Sequence, residues 1–135
     1  MSTIFRLPIL VKEDDIDQFK HVNNEVYITW LMCAATAHSE SLGYSLQKYL
    51  DDGAAFVVRR HEIDYLAPVL LGEQLTLETW VPEMLGLKTT REYRMIRSRD
   101  QKVVLNAKTL WVYVNLKTGR PQAIPQELLD VFASI

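Results

Sequence analysis

The chain has 135 residues, of which 48% are hydrophobic and 24% charged, with a formal net charge of -2. This composition is typical of one folded domain spanning residues 1–135, and it excludes a disordered chain and the basic field of a nucleic-acid-binding protein. The first ten residues fit neither a signal peptide nor a membrane span. Cys33 is the only cysteine and is expected near the core, so we expect no internal disulfide and a reducing, cytoplasmic location.

A first strand is predicted from Ile4 to Val11, followed by the acidic stretch Glu13-Asp14-Asp15. Carboxylates in an unbroken row lack the spaced oxygen ligands of a calcium loop, so we interpret this stretch as solvated loop and expect no metal or other cofactor. The loop continues from Asp17 to Asn24 and gathers a carboxylate, an imidazole and two amides just before an apolar segment of helical period.

A long helix is predicted from about Asn24 to Gly43, because apolar residues recur at three- and four-residue steps and the glycine is a favourable stop. Small residues on its packing side, Ala34, Ala35 and Ala37, would let a sheet approach the helix axis closely. His38 lies on or near this side. No carboxylate lies one turn before it, so we interpret it as a hydrogen-bonded structural histidine.

Four strands with good alternation are predicted after the helix: Ala55–Tyr65, Gln74–Val81, Lys88–Arg97 and Val103–Leu116. Pro and Gly residues between them give the spacing of an antiparallel meander. The last strand is apolar on both faces, which indicates the middle of a sheet or a subunit interface. A short helix from Gln126 to Phe132 follows. Together these elements predict an α+β fold in which an antiparallel five-stranded sheet wraps a long central helix.

The loop before the long helix has the residues that acyl transfer requires. A carboxylate delivered to a helix N-terminus stands beside unpaired backbone N–H groups, which can stabilise a developing oxyanion. Taken singly, the same residues also have structural interpretations: Asn23 or Asn24 as an N-cap, Asp17 as a turn residue, and Tyr27 as a core aromatic. The spacing of the whole segment favours the chemical interpretation only because it resembles the signature of a known family.

The segment from Asp17 to Tyr27 resembles the Asp-x-x-Gly-His-Val-Asn-Asn-x-x-Tyr signature of hotdog-fold acyl-CoA thioesterases of the 4-hydroxybenzoyl-CoA thioesterase family. Later segments look like further landmarks of that family in the same order and extend the resemblance over nearly the whole chain: Ile63–Pro68, Gly72-Glu73, Thr118–Pro121 and Ile124-Pro125. One position departs, since Lys20 stands where the family usually has glycine. Glycine permits a positive φ that lysine adopts only at a cost.

The resemblance implies a hotdog-fold enzyme that hydrolyses an acyl thioester. A thiolate has a conjugate acid of pKa about 8.5 and leaves without a general acid, so a full catalytic triad is unnecessary. Asp17 would act as general base on a water or as nucleophile, and backbone N–H groups around Asn24 would form the oxyanion hole. His21 would orient Asp17 or contact the thioester, Asn23 would supply a side-chain amide, and Tyr27 would line the acyl pocket.

The resemblance also implies sites shared between two subunits, and therefore a homodimer or a dimer of dimers. The acyl carrier would be CoA or an acyl carrier protein. CoA phosphates require basic side chains at the entrance, and the candidates on two predicted strands are Arg59, Arg60, His61, Lys88 and Arg91. Relatives often have a basic cluster in the turn before the fourth strand, where this chain has Met84–Leu87. An acyl carrier protein therefore stays an alternative.

The sequence does not identify the acyl group, because the aromatic residues that would shape an aryl pocket are also those that any core of this size contains. These residues are Phe19, Tyr27, Trp30, Phe56 and Tyr65. A hotdog enoyl hydratase would use an Asp and a His around an Asn-Pro pair, which this chain lacks. A non-catalytic acyl-binding module would have no need of the Asp17 carboxylate. A nucleotide enzyme is disfavoured because no glycine-rich phosphate loop is present.

Overall fold

The computed structural model describes residues 2–133. The strands in this part of the chain are β1 (Phe5–Leu10), β2 (Ala54–Tyr65), β3 (Gln74–Leu85), β4 (Lys88–Arg97) and β5 (Lys102–Asn115). The α-helices are α1 (Asn24–Ser41), α2 (Leu46–Asp52) and α3 (Gln126–Ala133). A short 3₁₀ turn at Glu13–Asp15 follows β1 and occupies the acidic stretch.

The strands form one antiparallel sheet in the order β1-β3-β4-β5-β2. Helix α1 packs on this sheet through Tyr27, Leu31 and Ala34. The strand residues that complete this core include Leu75, Leu77, Tyr93, Met95, Leu105 and Ala107. The predicted α+β architecture, with an antiparallel five-stranded sheet around a long central helix, is confirmed.

The connection between β2 and β3 corrects the predicted meander. β2 pairs with β5 and β3 pairs with β1, so residues 66–73 carry the chain across the sheet instead of closing a hairpin. Val69 in this connection is fully buried, and its carbonyl accepts the N–H of Val22 at 2.9 Å. Turn residues mark where a connection begins and ends but not which strand it reaches. The connection therefore lies against the loop that leads into α1.

Strand β3 is longer than predicted. It continues through Pro82 to Leu85 instead of ending at Val81, because the pairing register with β4 shifts between Trp80 and Glu83. Such an irregularity accommodates a proline, which has no N–H to donate to the ladder.

Helix α2 is not predicted by the hydrophobic pattern, although its sequence carries signals for both ends. Oγ of Ser45 caps the start by accepting the N–H of Lys48 at 3.2 Å. Gly53 ends the helix with φ +72°, a conformation that glycine adopts without steric cost.

Helix α1 begins where the sequence predicts and ends two residues earlier, at Ser41. The expected core position of Cys33 is wrong, because its side chain is exposed. Leu31 and Ala34 are buried, and residue 33 falls on the opposite face of the helix.

None of the helices within residues 2–133 is long and apolar enough to cross a bilayer.

A buried polar pair lies under the second half of α1. Nη1 of Arg91 donates to Nδ1 of His38 at 2.9 Å and to Oγ1 of Thr79 at 3.1 Å. The imidazole also stacks on Phe5, with ring centroids 5.3 Å apart, and meets the edge of Phe132 at 5.6 Å. This environment accords with the structural role predicted for His38. Burial, and secondarily the Arg91 charge, lower the pKa of His38 to about 4.

The buried imidazole predicts a loss of stability at mildly acidic pH. Unfolded histidine has a pKa of about 6.5, so between pH 6.5 and 4 the unfolded chain binds a proton that the folded chain does not. The free energy of unfolding should therefore fall as pH falls, by about 2 kcal/mol at pH 5 from this group. Urea titrations at pH 7 and pH 5 measure the difference, which should shrink in His38→Gln. An equal difference in His38→Gln and in the exposed-histidine control His21→Gln would contradict this account.

Candidate active site

Asp17 opens a tight turn just before α1. The N–H of Lys20 donates to the carbonyl of Asp17 at 2.9 Å, and the N–H of Asp17 donates to the carbonyl of His21 at 2.8 Å. These bonds close a three-residue hairpin loop, and Lys20 follows the turn with φ +66°. That pattern, a turn followed by one left-handed residue, is a common hairpin geometry.

The carboxylate of Asp17 is held by its own loop through one oxygen. Oδ1 accepts the N–H of Phe19 at 2.8 Å and, more weakly, the N–H of His21 at 3.4 Å. Within residues 2–133, Oδ2 accepts no hydrogen bond. The turn therefore fixes the direction of the side chain while leaving one carboxylate oxygen free for a water or a substrate.

Lys20 adopts the conformation that the family signature assigns to glycine. Its φ of +66° lies in the left-handed region, which costs a residue with a β-carbon about 1–2 kcal/mol. The lysine at this position is therefore accommodated with local backbone strain.

Replacing Lys20 by glycine is expected to stabilise the protein by about 0.5–1 kcal/mol, because relief of strain exceeds the freedom that glycine adds to the unfolded chain. Thermal unfolding should show a rise of about 2–4 °C. Lys20→Val, which places a branched side chain in the same conformation, should lower the melting temperature. Gln101, at φ +58° in another turn, is the matched control. A fall in Lys20→Gly beside a rise in Gln101→Gly would refute the strain argument.

The start of α1 leaves one backbone donor unused. Oδ1 of Asn23 accepts the N–H of Glu25 at 2.9 Å, and the carbonyl of Asn23 accepts the N–H of Val26 at 2.9 Å. Asn23 is therefore the N-cap, one of the structural alternatives that the sequence leaves open. The N–H of Asn24 has no acceptor within residues 2–133. A free N–H at the positive end of a helix is the donor that an oxyanion requires.

The β2–β3 connection lies against the Asp17 loop and holds it in place. His21 forms a β-bridge with Leu70. Glu73 holds that connection, since Oε2 accepts the N–H of Leu70 at 3.1 Å and Oε1 accepts Nε of Arg99 at 2.9 Å. The sequence marks Glu73 only as a family landmark and misses this positioning role, because Arg99 and the Asp17 loop lie in segments distant from Glu73. The imidazole of His21 is exposed, and it is the His21 backbone that contacts Asp17.

Tyr27 belongs to the core of the chain. Its ring meets Trp30 at 5.6 Å and Tyr65 at 5.3 Å between centroids, and burial raises its pKa to about 12. Only these three of the five aromatic candidates lie together. Phe19 is at the exposed tip of the loop. Phe56 packs on Tyr49 and Tyr113, in a core cluster separate from the one that contains Tyr27.

The basic candidates do not converge on Asp17 within one chain. His61 lies four residues from Tyr65, about 13 Å along β2. It bonds Oγ1 of Thr109 through Nδ1 at 2.8 Å, and burial lowers its pKa. Arg59 sits at the register irregularity of β2, and Arg60 lies beside Lys108 in a shallow surface groove.

Two further basic candidates are also remote. Lys88 pairs with Val112, and Val112 pairs with Val57. Lys88 is therefore level with Val57 in the sheet, and Val57 lies eight residues from Tyr65, or about 26 Å along β2. Arg91 is buried against His38. The expected surface position of Arg91 at the carrier's entrance is therefore wrong.

The sequence matches a family profile over most of its length. The profile of the thioesterase-like superfamily covers residues 11–132. The chain belongs to this superfamily. The match includes the Asp17 loop, helix α1 and most of the closing helix α3.

Individual superfamily members align along nearly the whole chain. The acyl-CoA thioesterase YbgC of Haemophilus influenzae is 30% identical over 130 residues, 95% of this chain and 93% of that protein. The acyl-CoA thioester hydrolase YbgC of Escherichia coli is 28% identical over 131 residues, 97% of each. The chloroplastic acyl-acyl carrier protein thioesterase ATL3 of Arabidopsis thaliana is 23% identical over 132 residues, 98% of this chain and 69% of that protein.

Solved structures share the fold of this superfamily member. A 1,4-dihydroxy-2-naphthoyl-CoA thioesterase from Synechocystis superposes with a TM-score of 0.90 at 19% identity, covering 98% of both chains. A Staphylococcus aureus protein crystallised with CoA superposes with a TM-score of 0.91 at 16% identity, covering 98% of this chain and 84% of that one. The resemblance to hotdog thioesterases that the sequence indicates, and the assignment to a thioesterase family, are confirmed.

Proposed function

We propose that the protein hydrolyses acyl-CoA thioesters at the junction of the Asp17 loop and helix α1. The observation that carries this proposal is the pairing of a carboxylate with one free oxygen and a helix start with one free N–H, on either side of a short turn. The names of the YbgC relatives, aligned over nearly the whole chain, support the same activity.

The chemistry requires a base or nucleophile and an oxyanion donor. As general base, Oδ2 of Asp17 takes a proton from water while the hydroxide oxygen bonds the thioester carbon. The N–H of Asn24 stabilises the resulting oxyanion, and the C–S bond then breaks to release a thiolate that is protonated by solvent. As nucleophile, the same oxygen would attack the thioester carbon and expel the thiolate, giving a mixed anhydride that water hydrolyses to the free acid and the Asp17 carboxylate. Both routes use the same two groups.

The neighbouring residues would support this pair. The exposed imidazole of His21 is free to contact the thioester or the carrier. The side-chain carbonyl of Asn23 caps α1, which leaves its NH₂ group to donate to the substrate. Tyr27, packed against Trp30 and Tyr65, would shape the inner wall of an acyl pocket from within the core.

The identity of the acyl carrier is the second part of the proposal. CoA is favoured by the YbgC relatives, whereas the apolar turn Met84–Leu87 and the ATL3 relative favour an acyl carrier protein. Thiol release should be measured with one acyl group presented on each carrier. A kcat/KM at least tenfold higher with CoA is expected. Tenfold preference for the carrier protein would assign the alternative, and no thiol from either carrier would refute thioester hydrolysis.

We also propose that two copies pair through the free edge of β2. This strand is 12 residues long and exposes Val57 and Val58 to 43% and 41%. The other edge, β1, has six residues and contains Pro8, which blunts an edge because proline offers no N–H. Identical antiparallel edges pair about a two-fold axis. β5, with its two apolar faces, lies inside the sheet between β4 and β2 and has no free edge for such pairing.

Such a dimer offers a place for the basic side chains. Arg59, Arg60 and His61 follow the exposed valines on the same edge strand. A second copy would therefore bring these residues toward a site that they do not reach within their own chain. There Arg59 and Arg60 would bind CoA phosphates, with Lys88 farther along the sheet. In a dimer of dimers, the dimer paired through β2 would be the repeating unit.

A further inference from the structure

A separate cavity lies at the far end of α1 from the Asp17 loop. Its volume is about 210 Å³, and its wall is mainly aromatic and small apolar side chains, including Ala35, Phe56, Trp111 and Phe132. Ala35 follows Asn24 by eleven residues, about 17 Å along the helix axis. Leu46 and Thr36 at its lining are exposed. The cavity therefore has access from solvent and does not include the proposed catalytic groups.

Arg91 brings a positive charge to this apolar wall. The residue is only 5% exposed. Both hydrogen-bond partners of its Nη1, His38 and Thr79, are uncharged, because His38 takes up a proton only in strongly acidic solution. The face of Phe132 lies 5.9 Å from the guanidinium carbon. A guanidinium in such surroundings carries a large desolvation cost unless an anion balances it.

No such anion comes from the chain. Within residues 2–133, no carboxylate forms an ion pair with Arg91, and its Nη2 and Nε groups donate to no protein atom. Asp52 is bound by Lys48 at 3.0 Å instead. Arg97 provides the contrast: it is also buried, but Asp100 accepts from its Nε and Nη2 at 3.1 and 2.8 Å. Arg91 thus keeps one edge of its guanidinium unused beside the cavity.

We propose that this cavity binds a small apolar carboxylic acid, with the carboxylate on Arg91 and the hydrocarbon against the aromatic wall. A guanidinium edge matches the two oxygens of a carboxylate, and apolar walls with few polar groups are typical of ligand sites. The volume equals that of about seven liquid waters, which suits an acid of about six carbons. An inorganic anion would satisfy Arg91 but leave the apolar wall unfilled. The assignment does not depend on thioester hydrolysis.

Calorimetric titration of the full chain with hexanoate tests the assignment, with hexan-1-ol as the uncharged control. Hexanoate should bind at one site per chain and at least tenfold more tightly than hexan-1-ol. Arg91→Met should fold, since buried ions are often replaceable by apolar side chains, and should weaken hexanoate at least tenfold. Arg97→Met and Asp17→Asn should stay within threefold of the parent. Equal binding of acid and alcohol, or unchanged binding in Arg91→Met, would overturn the proposal.

A second measurement needs no variant. The chain has three tryptophans, and of these only Trp111 lines the cavity. In ¹H–¹⁵N spectra of the parent protein, hexanoate should shift the indole signal of Trp111 and leave those of Trp30 and Trp80 in place. A shift confined to Trp30, which packs on Tyr27 near the catalytic loop, would place the acid elsewhere and overturn the assignment.

Discussion

Asp17→Asn is expected to lower kcat for acyl-CoA hydrolysis by a factor of about 10² to 10⁴, which corresponds to roughly 3–5 kcal/mol of activation free energy. The substitution removes both the charge and the basicity of the group proposed to act on water or on the thioester. The fold should be retained, because the amide oxygen of asparagine can still accept the N–H of Phe19 that holds the turn. Steady-state thiol release, measured beside the melting temperature, gives the result.

Asp14→Asn is the matched control for this loss. Asp14 lies in the same acidic segment and its side chain is exposed, so its variant should retain activity within about threefold, as expected for a surface change. If Asp17→Asn kept parental activity while Asp14→Asn lost it, the catalytic carboxylate would have been assigned to the wrong residue of the loop.

Replacing Val57 and Val58 together by lysine is expected to produce a monomer and to lower kcat/KM about a hundredfold. Positive charges from two copies would face each other across the proposed β2 edge, which is how natural edge strands prevent pairing. A site that needs a second subunit would then be incomplete, and misplacement of binding groups by about 1 Å can cost a hundredfold in rate. Sedimentation and thiol release measure the two consequences on the same sample.

Leu10→Lys controls for a lysine placed on an exposed apolar position. Leu10 is 52% exposed at the end of β1, on the opposite edge of the sheet from β2, so its variant should keep the assembly and the activity of the parent. A doubly substituted protein that is monomeric yet fully active would show that one chain contains a complete site, and the proposed sharing of residues would be wrong.

The parts of the structure that the sequence predicts are the local ones. The turn at Asp17 and the cap at Asn23, which the sequence offers as structural alternatives, have their partners within five residues. Side-chain chemistry of the segment therefore determines them. The start of α1 follows for the same reason from hydrophobic periodicity and turn residues, and so do the strand limits to within one residue, except at the end of β3.

The parts that the sequence does not predict depend on distant pairing. The β2–β5 pairing joins segments about 50 residues apart, and its alternative, a meander, has the same turn residues. Glu73 has a positioning role only because the β2–β3 connection reaches the Asp17 loop. Arg91 looks like a surface cation in sequence, since arginine is seldom buried without a partner. Its burial becomes visible only when α1 and α3 cover β4.

The central claim is most directly tested by a mass balance of the reaction. The purified protein should be incubated with an acyl-CoA, and the free CoA thiol and free acid should be quantified together by mass spectrometry. Hydrolysis at the Asp17 loop predicts that thiol and acid appear in equal amounts and that both are nearly absent with Asp17→Asn. Acyl-CoA that is bound but recovered intact, or an enoyl-CoA converted to its hydrated form without release of thiol, would contradict the claim.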